Sequence, residues 1–204
     1  MDETFSIVVM ASGRGTNFQA IIDAAGRGRL QARVAGLVCD NPGALALGRA
    51  AAHGVPCAVV VREAYPSRDA FERALVCAVR EFDPDLVVLA GFMRVLGRTF
   101  LEAFPGRIIN IHPSLLPAFR GLEAQRQALE YGVKYSGCTV HFVDAGVDTG
   151  PIIGQRVVPV MPDDTVESLS ARILEQEHEL LVECIGAIAE GRVRAEGRRI
   201  LVDG

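Results

Sequence analysis

Lysine is nearly missing from this chain: Lys134 is the only one in 204 residues. That argues against a lysine Schiff base and against a Walker-type loop, which needs a lysine directly after its glycines. A basic excess is missing as well. Against 21 basic residues stand 25 acidic ones, for a net charge of −4. Nucleic-acid binders usually carry a basic face, and none is visible. No apolar run approaches the roughly 18 residues of a membrane span. The opening MDETFSIVVM has no basic stretch ahead of its apolar one, so a signal peptide is not expected. HExxH and similar zinc spacings are absent and the histidines (His53, His112, His141, His178) are scattered, so no metal is expected. The cysteines (Cys39, Cys57, Cys77, Cys138, Cys184) are odd in number, far apart and without a CxxC pair. They predict reduced thiols in a cytoplasmic protein, most of them buried as small hydrophobes.

What is present is apolar material in short runs. Half the residues are hydrophobic, enough for one core, and 1–204 reads as a single domain. Val- and Ile-rich runs alternate with helical patterns: FSIVVMA, RVAGLVC, PCAVVV, DLVVLAGF and RIINIH read as strands, the first four separated by helices. SRDAFERALVCAVREF is the clearest of these helices, with Ser67 as N-cap and an apolar stripe of Phe71, Leu75, Cys77 or Ala78, and Phe82. DLVVLAGF shows no polar alternation and should be buried on both faces. The pattern predicts an α/β fold, an open Rossmann-like, mostly parallel sheet with crossover helices. After Gly121 it changes. GCTVHFV and PIIGQRVVPV, joined by DAGVDTG, suggest an antiparallel extension. A long helix follows from about Asp164, with Asp164 and Glu167 spaced as a capping box, and RVRAEGRRILVDG suggests an edge hairpin.

Four stretches could carry chemistry. In SGRGTN, residues 12–17, glycines and a helix start could cradle a phosphate, although a tight turn explains the pattern about as well. In INIHPS, Asn110 and His112 are two apart on a strand and so share a face where it ends. Histidine can exchange a proton near neutral pH and asparagine can donate to a developing oxyanion. A structural histidine beside a capping asparagine is the plainer alternative. Ser114 has no GxSxG elbow around it and reads as a loop hydroxyl. In HFVDAGVDTGP, Asp144 and Asp148 lie in a turn-forming loop, and a functional reading needs one of them to reach His112. His141, inside an apolar run, reads as core. In EQEHELL, Glu177 could grip hydroxyls or belong to a charged helix face.

These stretches together are familiar. SGRGTN, GFMR, NIHPSLLP, EQEH and HFV…VDTGPII resemble the folate-dependent formyltransferases over nearly the whole chain, most closely those that formylate glycinamide ribonucleotide. The resemblance implies the formyltransferase fold and purine biosynthesis, with 10-formyltetrahydrofolate as co-substrate and glycinamide ribonucleotide as acceptor, in a monomer or homodimer. It implies Asn110, His112 and Asp148 as the catalytic trio. Gly15, Thr16 and Asn17 would hold the substrate phosphate and Glu177 the ribose hydroxyls. Arg68, Met93, Arg94, Val95 and Leu96, with Asn110, would meet the folate, and the 144–148 loop would close over the pterin. It also implies a cis Leu116–Pro117 bond. Some relatives carry histidines where this chain has Glu123 and Gln125, so no role passes to those positions. Related activities stay open: methionyl-tRNA formylation, which normally comes with a further C-terminal domain, and formyltetrahydrofolate hydrolysis, with an N-terminal one. So does a non-catalytic nucleotide-binding module using Asp40 at the end of the second strand.

Overall fold

The computed structural model describes residues 4–203. They divide into two compact units between Ile109 and Asn110. In the first unit the chain runs β1 (Ser6–Ala11), α1 (Thr16–Gly26), β2 (Arg33–Cys39), α2 (Leu45–Ala52), β3 (Cys57–Val59), a 3₁₀ turn (Arg62–Ala64), α3 (Arg68–Arg80), β4 (Leu86–Leu89) and α4 (Arg98–Ala103). β1 pairs in parallel with β2 and β4, and β2 in parallel with β3. Every residue of β1 and β4 is buried, and apart from Ser6 their sequences are unbroken apolar runs, as strands covered on both faces require. α3 starts where its cap predicts, with the Ser67 hydroxyl accepting the Ala70 N–H. Its buried face carries Phe71, Leu75 and Ala78, while Cys77 is exposed. α4 has no counterpart in the sequence reading, for it is six residues long with Phe100 as its one buried residue.

Strand β5 (Ile108–His112) carries the division between the units. The second unit continues with α5 (Ala124–Tyr131), β6 (Tyr135–Phe142), β7 (Ile152–Pro159), α6 (Val166–Ala189), β8 (Val193–Glu196) and β9 (Arg199–Val202). β6 and β7 are antiparallel, as the sequence suggests. The seven-stranded sheet has the order β3-β2-β1-β4-β5-β6-β7. The tail forms a hairpin, but β8 and β9 make a two-stranded sheet of their own instead of extending the large one. α6 packs on β6 and β7, burying Leu169, Ile173, Leu181 and Ile185. Among the described residues no helix is long and apolar enough to cross a membrane.

The start of α6 corrects the expected cap by one residue. Thr165 and Ser168, not Asp164 and Glu167, form the reciprocal box, each side chain bonded to the other's backbone N–H. Asp164 is engaged elsewhere: it takes the Met161 N–H at 2.7 Å and both arms of Arg172 at 2.8 Å. Thr165→Ala should therefore lower stability by about 1 kcal/mol in urea titration without touching activity.

Candidate functional site

Three β-strand ends of the first unit are stitched together by side chains. The Ser12 hydroxyl, after β1, accepts the Met93 N–H at 2.9 Å, after β4. Asn41, after β2, donates to the Ser12 carbonyl at 3.2 Å. The turn that follows requires glycine. Gly15 caps α1 with φ 68, and a Cβ there would stand 2.7 Å from the Ala46 Cβ. α1 thus opens with no side-chain cap and no acidic residue in its first turn. Its first N–H groups lack intrahelical acceptors and carry the positive end of the helix dipole, a setting suited to an anion. Gly15, Thr16 and Asn17 sit at this terminus, with Asn17 buried.

Of the residues expected to meet the folate, Arg68, Met93, Arg94, Val95 and Leu96 line one cavity of about 320 Å³ in the same unit. Asp40 does not stand free for a ribose: its Oδ2 accepts from the Nε of Arg94.

The second unit assembles the polar trio. The i, i+2 spacing puts Asn110 and His112 at the end of β5, but they bond to different partners. His112 is buried, with Nε2 donating to the Phe119 carbonyl at 2.8 Å. Its Nδ1 faces Asp148 Oδ2 at 3.3 Å, the carboxylate side chain being 13% exposed. Asp148 sits at φ 50, and Oδ2 also takes the Gly121 N–H at 2.8 Å. The Leu116–Pro117 bond is cis. The 142–150 segment that delivers Asp148 is folded tightly on itself. Asp144 accepts the Gly146 N–H at 3.1 Å and the Thr149 hydroxyl. At Gly150 any Cβ would lie 1.7 Å from the Phe142 carbonyl oxygen. Of the two loop carboxylates Asp148 reaches the imidazole, and Asp144 holds the loop.

His141, read from the sequence as core, belongs to the same cluster. Its Nδ1 lies 2.8 Å from the Phe142 carbonyl, which can only accept, so this nitrogen carries a proton. Its Nε2 lies 3.2 Å from the Asn110 amide nitrogen, which leaves an amide hydrogen for a ligand oxygen. Asp148 Oδ1 is 3.6 Å from the same Nε2. Asn110, His112, His141 and Asp148 thus form one network.

Charge in this network is set by competing effects. Burial lowers the proton affinity of His112, and the pull of the Phe119 carbonyl and Asp148 offsets it only in part. Burial alone would raise the Asp148 carboxyl, but the His141 side chain, the Gly121 N–H and the His112 ring outweigh it and hold the group below its ordinary value. Asp148 also opens onto a cavity of about 500 Å³, whose lining includes Leu116, Pro117, Arg120 and Arg198. Neither arginine belongs to a sequence pattern that would single it out. Glu177 is buried on α6, where its charge, after burial itself, helps push the Cys138 thiol up to about 12. Cys39, Cys138 and Cys184 are buried, Cys57 and Cys77 exposed. Among the described residues no group of three or more His, Cys, Asp or Glu is arranged to hold a metal ion.

Known proteins resemble this chain over most of its length. A solved structure titled glycinamide ribonucleotide transformylase 1, from Symbiobacterium toebii, superposes with a TM-score of 0.97 at 53% identity, over 99% of this chain and 95% of that one. The phosphoribosylglycinamide formyltransferase of Bacillus subtilis is 46% identical over 170 residues, 83% of this chain and 87% of its own length. The trifunctional purine biosynthetic protein adenosine-3 of Drosophila melanogaster is 45% identical over 91% of this chain, which spans only 14% of that protein. The family model described as formyl transferase matches residues 5–185, and the chain belongs to that family.

Proposed function

We propose that this chain transfers the formyl group of 10-formyltetrahydrofolate to the glycyl amine of glycinamide ribonucleotide, in de novo purine biosynthesis in the cytoplasm. The main support is the Asn110–His141–Asp148–His112 network, in a chain whose full-length relatives carry this activity in their names. The N–H groups of Gly15, Thr16 and Asn17 hold the ribonucleotide phosphate, and Glu177 its ribose hydroxyls. Arg68, Met93, Arg94, Val95 and Leu96 receive the folate.

The amine attacks the formyl carbon directly. Asn110 donates its free amide hydrogen to the developing oxyanion, a contribution of about 3 kcal/mol for one such donor. His112 starts neutral. The proton released by the attacking nitrogen moves onto its ring as negative charge grows on the oxygen, with Asp148 stabilising the imidazolium. The same proton then goes to the folate nitrogen as the C–N bond breaks. For the ring to take that proton on the substrate side, Nε2 leaves the Phe119 carbonyl and the ring's own proton sits on Nδ1 toward Asp148; the protonated Nε2 then donates to the substrate oxygen. Holding both reactants in register supplies much of the remaining acceleration.

The test follows folate absorbance with 10-formyltetrahydrofolate alone and with glycinamide ribonucleotide added. An amine-dependent release of tetrahydrofolate is expected. Release without amine would mark a hydrolase, and no release at all a binding module.

A further inference from the structure

Two buried carboxylates in the first unit are left over by the proposed chemistry. Asp40 is 6% exposed and Glu72 4%. A carboxylate taken out of water is costly unless it is paired, and these two are paired in the same manner. Asp40 Oδ2 accepts from the Nε of Arg94. Glu72 Oε1 accepts from the Nε of Arg68 at 2.8 Å. A guanidinium held through Nε has its plane fixed and keeps its outer nitrogens for other acceptors. Both arginines line the 320 Å³ cavity, where Phe71 and Leu96 supply apolar wall. Arg94 lies over the Phe71 ring, 5.7 Å from its centroid. Its Nη2 is 3.6 Å from the exposed Glu63, an ion pair beyond hydrogen-bond reach.

The same contacts order the segment 93–97. The Gly97 N–H donates to Glu72 Oε1 at 2.9 Å, and Arg68 Nη2 donates to the Val95 carbonyl at 2.9 Å. With Met93 N–H on the Ser12 hydroxyl and Arg94 on Asp40, four of these residues are tied by polar contacts. Apolar packing ties the segment only at Leu96, because Met93 and Val95 are 66% and 60% exposed. Asp40 Oδ1 is buried with no hydrogen-bond partner, so this carboxylate acts on the segment through Arg94.

We propose that Asp40 and Glu72 are positioning residues. They lock Arg94, Arg68 and the 93–97 segment into the ligand-receiving form before any ligand arrives. The ligand this prepares for joins an aromatic ring to a carboxylate-bearing tail: apolar wall for the ring, outer guanidinium nitrogens for the acids. That identity rests on the folate reading above; the positioning itself does not. A segment ordered in advance spares the ligand the entropy of ordering it, so the carboxylates act on affinity and not on the chemical step.

Asp40→Asn and Glu72→Gln keep size and remove charge. Each should raise the KM for 10-formyltetrahydrofolate about tenfold, with kcat within about twofold and the KM for the ribonucleotide unchanged. In an Arg94→Gln background, Asp40→Asn should add nothing, because its path of action is already cut. In the ligand-free protein, amide exchange across 93–97 should speed up in both variants. Unchanged folate KM and unchanged exchange would overturn the proposal. So would a fall in kcat alone, or an undiminished Asp40→Asn effect in the Arg94→Gln background. Direct titration of the wild type with 5-formyltetrahydrofolate separates the two layers. If the wild type ignores it while the variants still lose protection, positioning stands and the folate assignment falls.

Discussion

Asp148→Asn should cut the single-turnover rate of formyl transfer about a thousandfold while leaving the protein folded. Asparagine tolerates the left-handed backbone better than most residues, so the φ of 50 at this position is kept without new strain. Its carbonyl oxygen can still accept the Gly121 N–H that Asp148 Oδ2 takes now. What the variant loses is the negative charge beside His112. An imidazole that must become charged as the oxyanion forms then does so in a buried site with no counter-charge, and burial already works against its protonation. The effect should fall on kcat, with the KM values of both reactants little changed. Circular dichroism and the urea midpoint would verify that the fold survives. A rate within tenfold of wild type would remove Asp148 from the mechanism.

The fold was largely legible because its core strands are uninterrupted apolar runs. Leu86–Leu89 and residues 7–11 leave no polar face to explain, so a sheet covered on both sides follows from the residues. Ser67 announces α3 through a cap that the structure uses. α4 was invisible because six residues carry too little periodicity to register. The α6 cap slipped by one because D-x-x-E and T-x-x-S overlap there, and only the Arg172 partnership withdraws Asp164. The candidate site was legible in part. Period-two spacing put Asn110 and His112 together, and the DAGVDTG loop offered a carboxylate. His141 was not legible, since apolar neighbours such as Val140 describe a core strand equally well. Its polar role depends on β6 lying beside β5, a matter of strand order that no local pattern encodes. Arg120 and Arg198 are brought to one cavity from a loop and a distant hairpin, and nothing in their local sequence marks them.

His112→Gln should reduce kcat between about a hundredfold and a thousandfold and remove one limb of the pH profile. Glutamine keeps an N–H donor for the Phe119 carbonyl but cannot take up a proton. In the wild type the ring must be neutral to receive the proton of the attacking amine. kcat/KM should therefore decline as pH falls below 6.5 through the lowered His112 value, and this limb should be absent from the variant. Stability carries the same sign. The folded chain binds this proton less readily than the unfolded one, whose imidazole titrates near 6.5. The stabilisation is complete above that value and is lost as pH falls from there through the folded value. Urea midpoints of the wild type should drop across that window more steeply than those of the variant. An acid limb that survives in His112→Gln would assign the titration to another group and leave His112 as a hydrogen-bond donor alone.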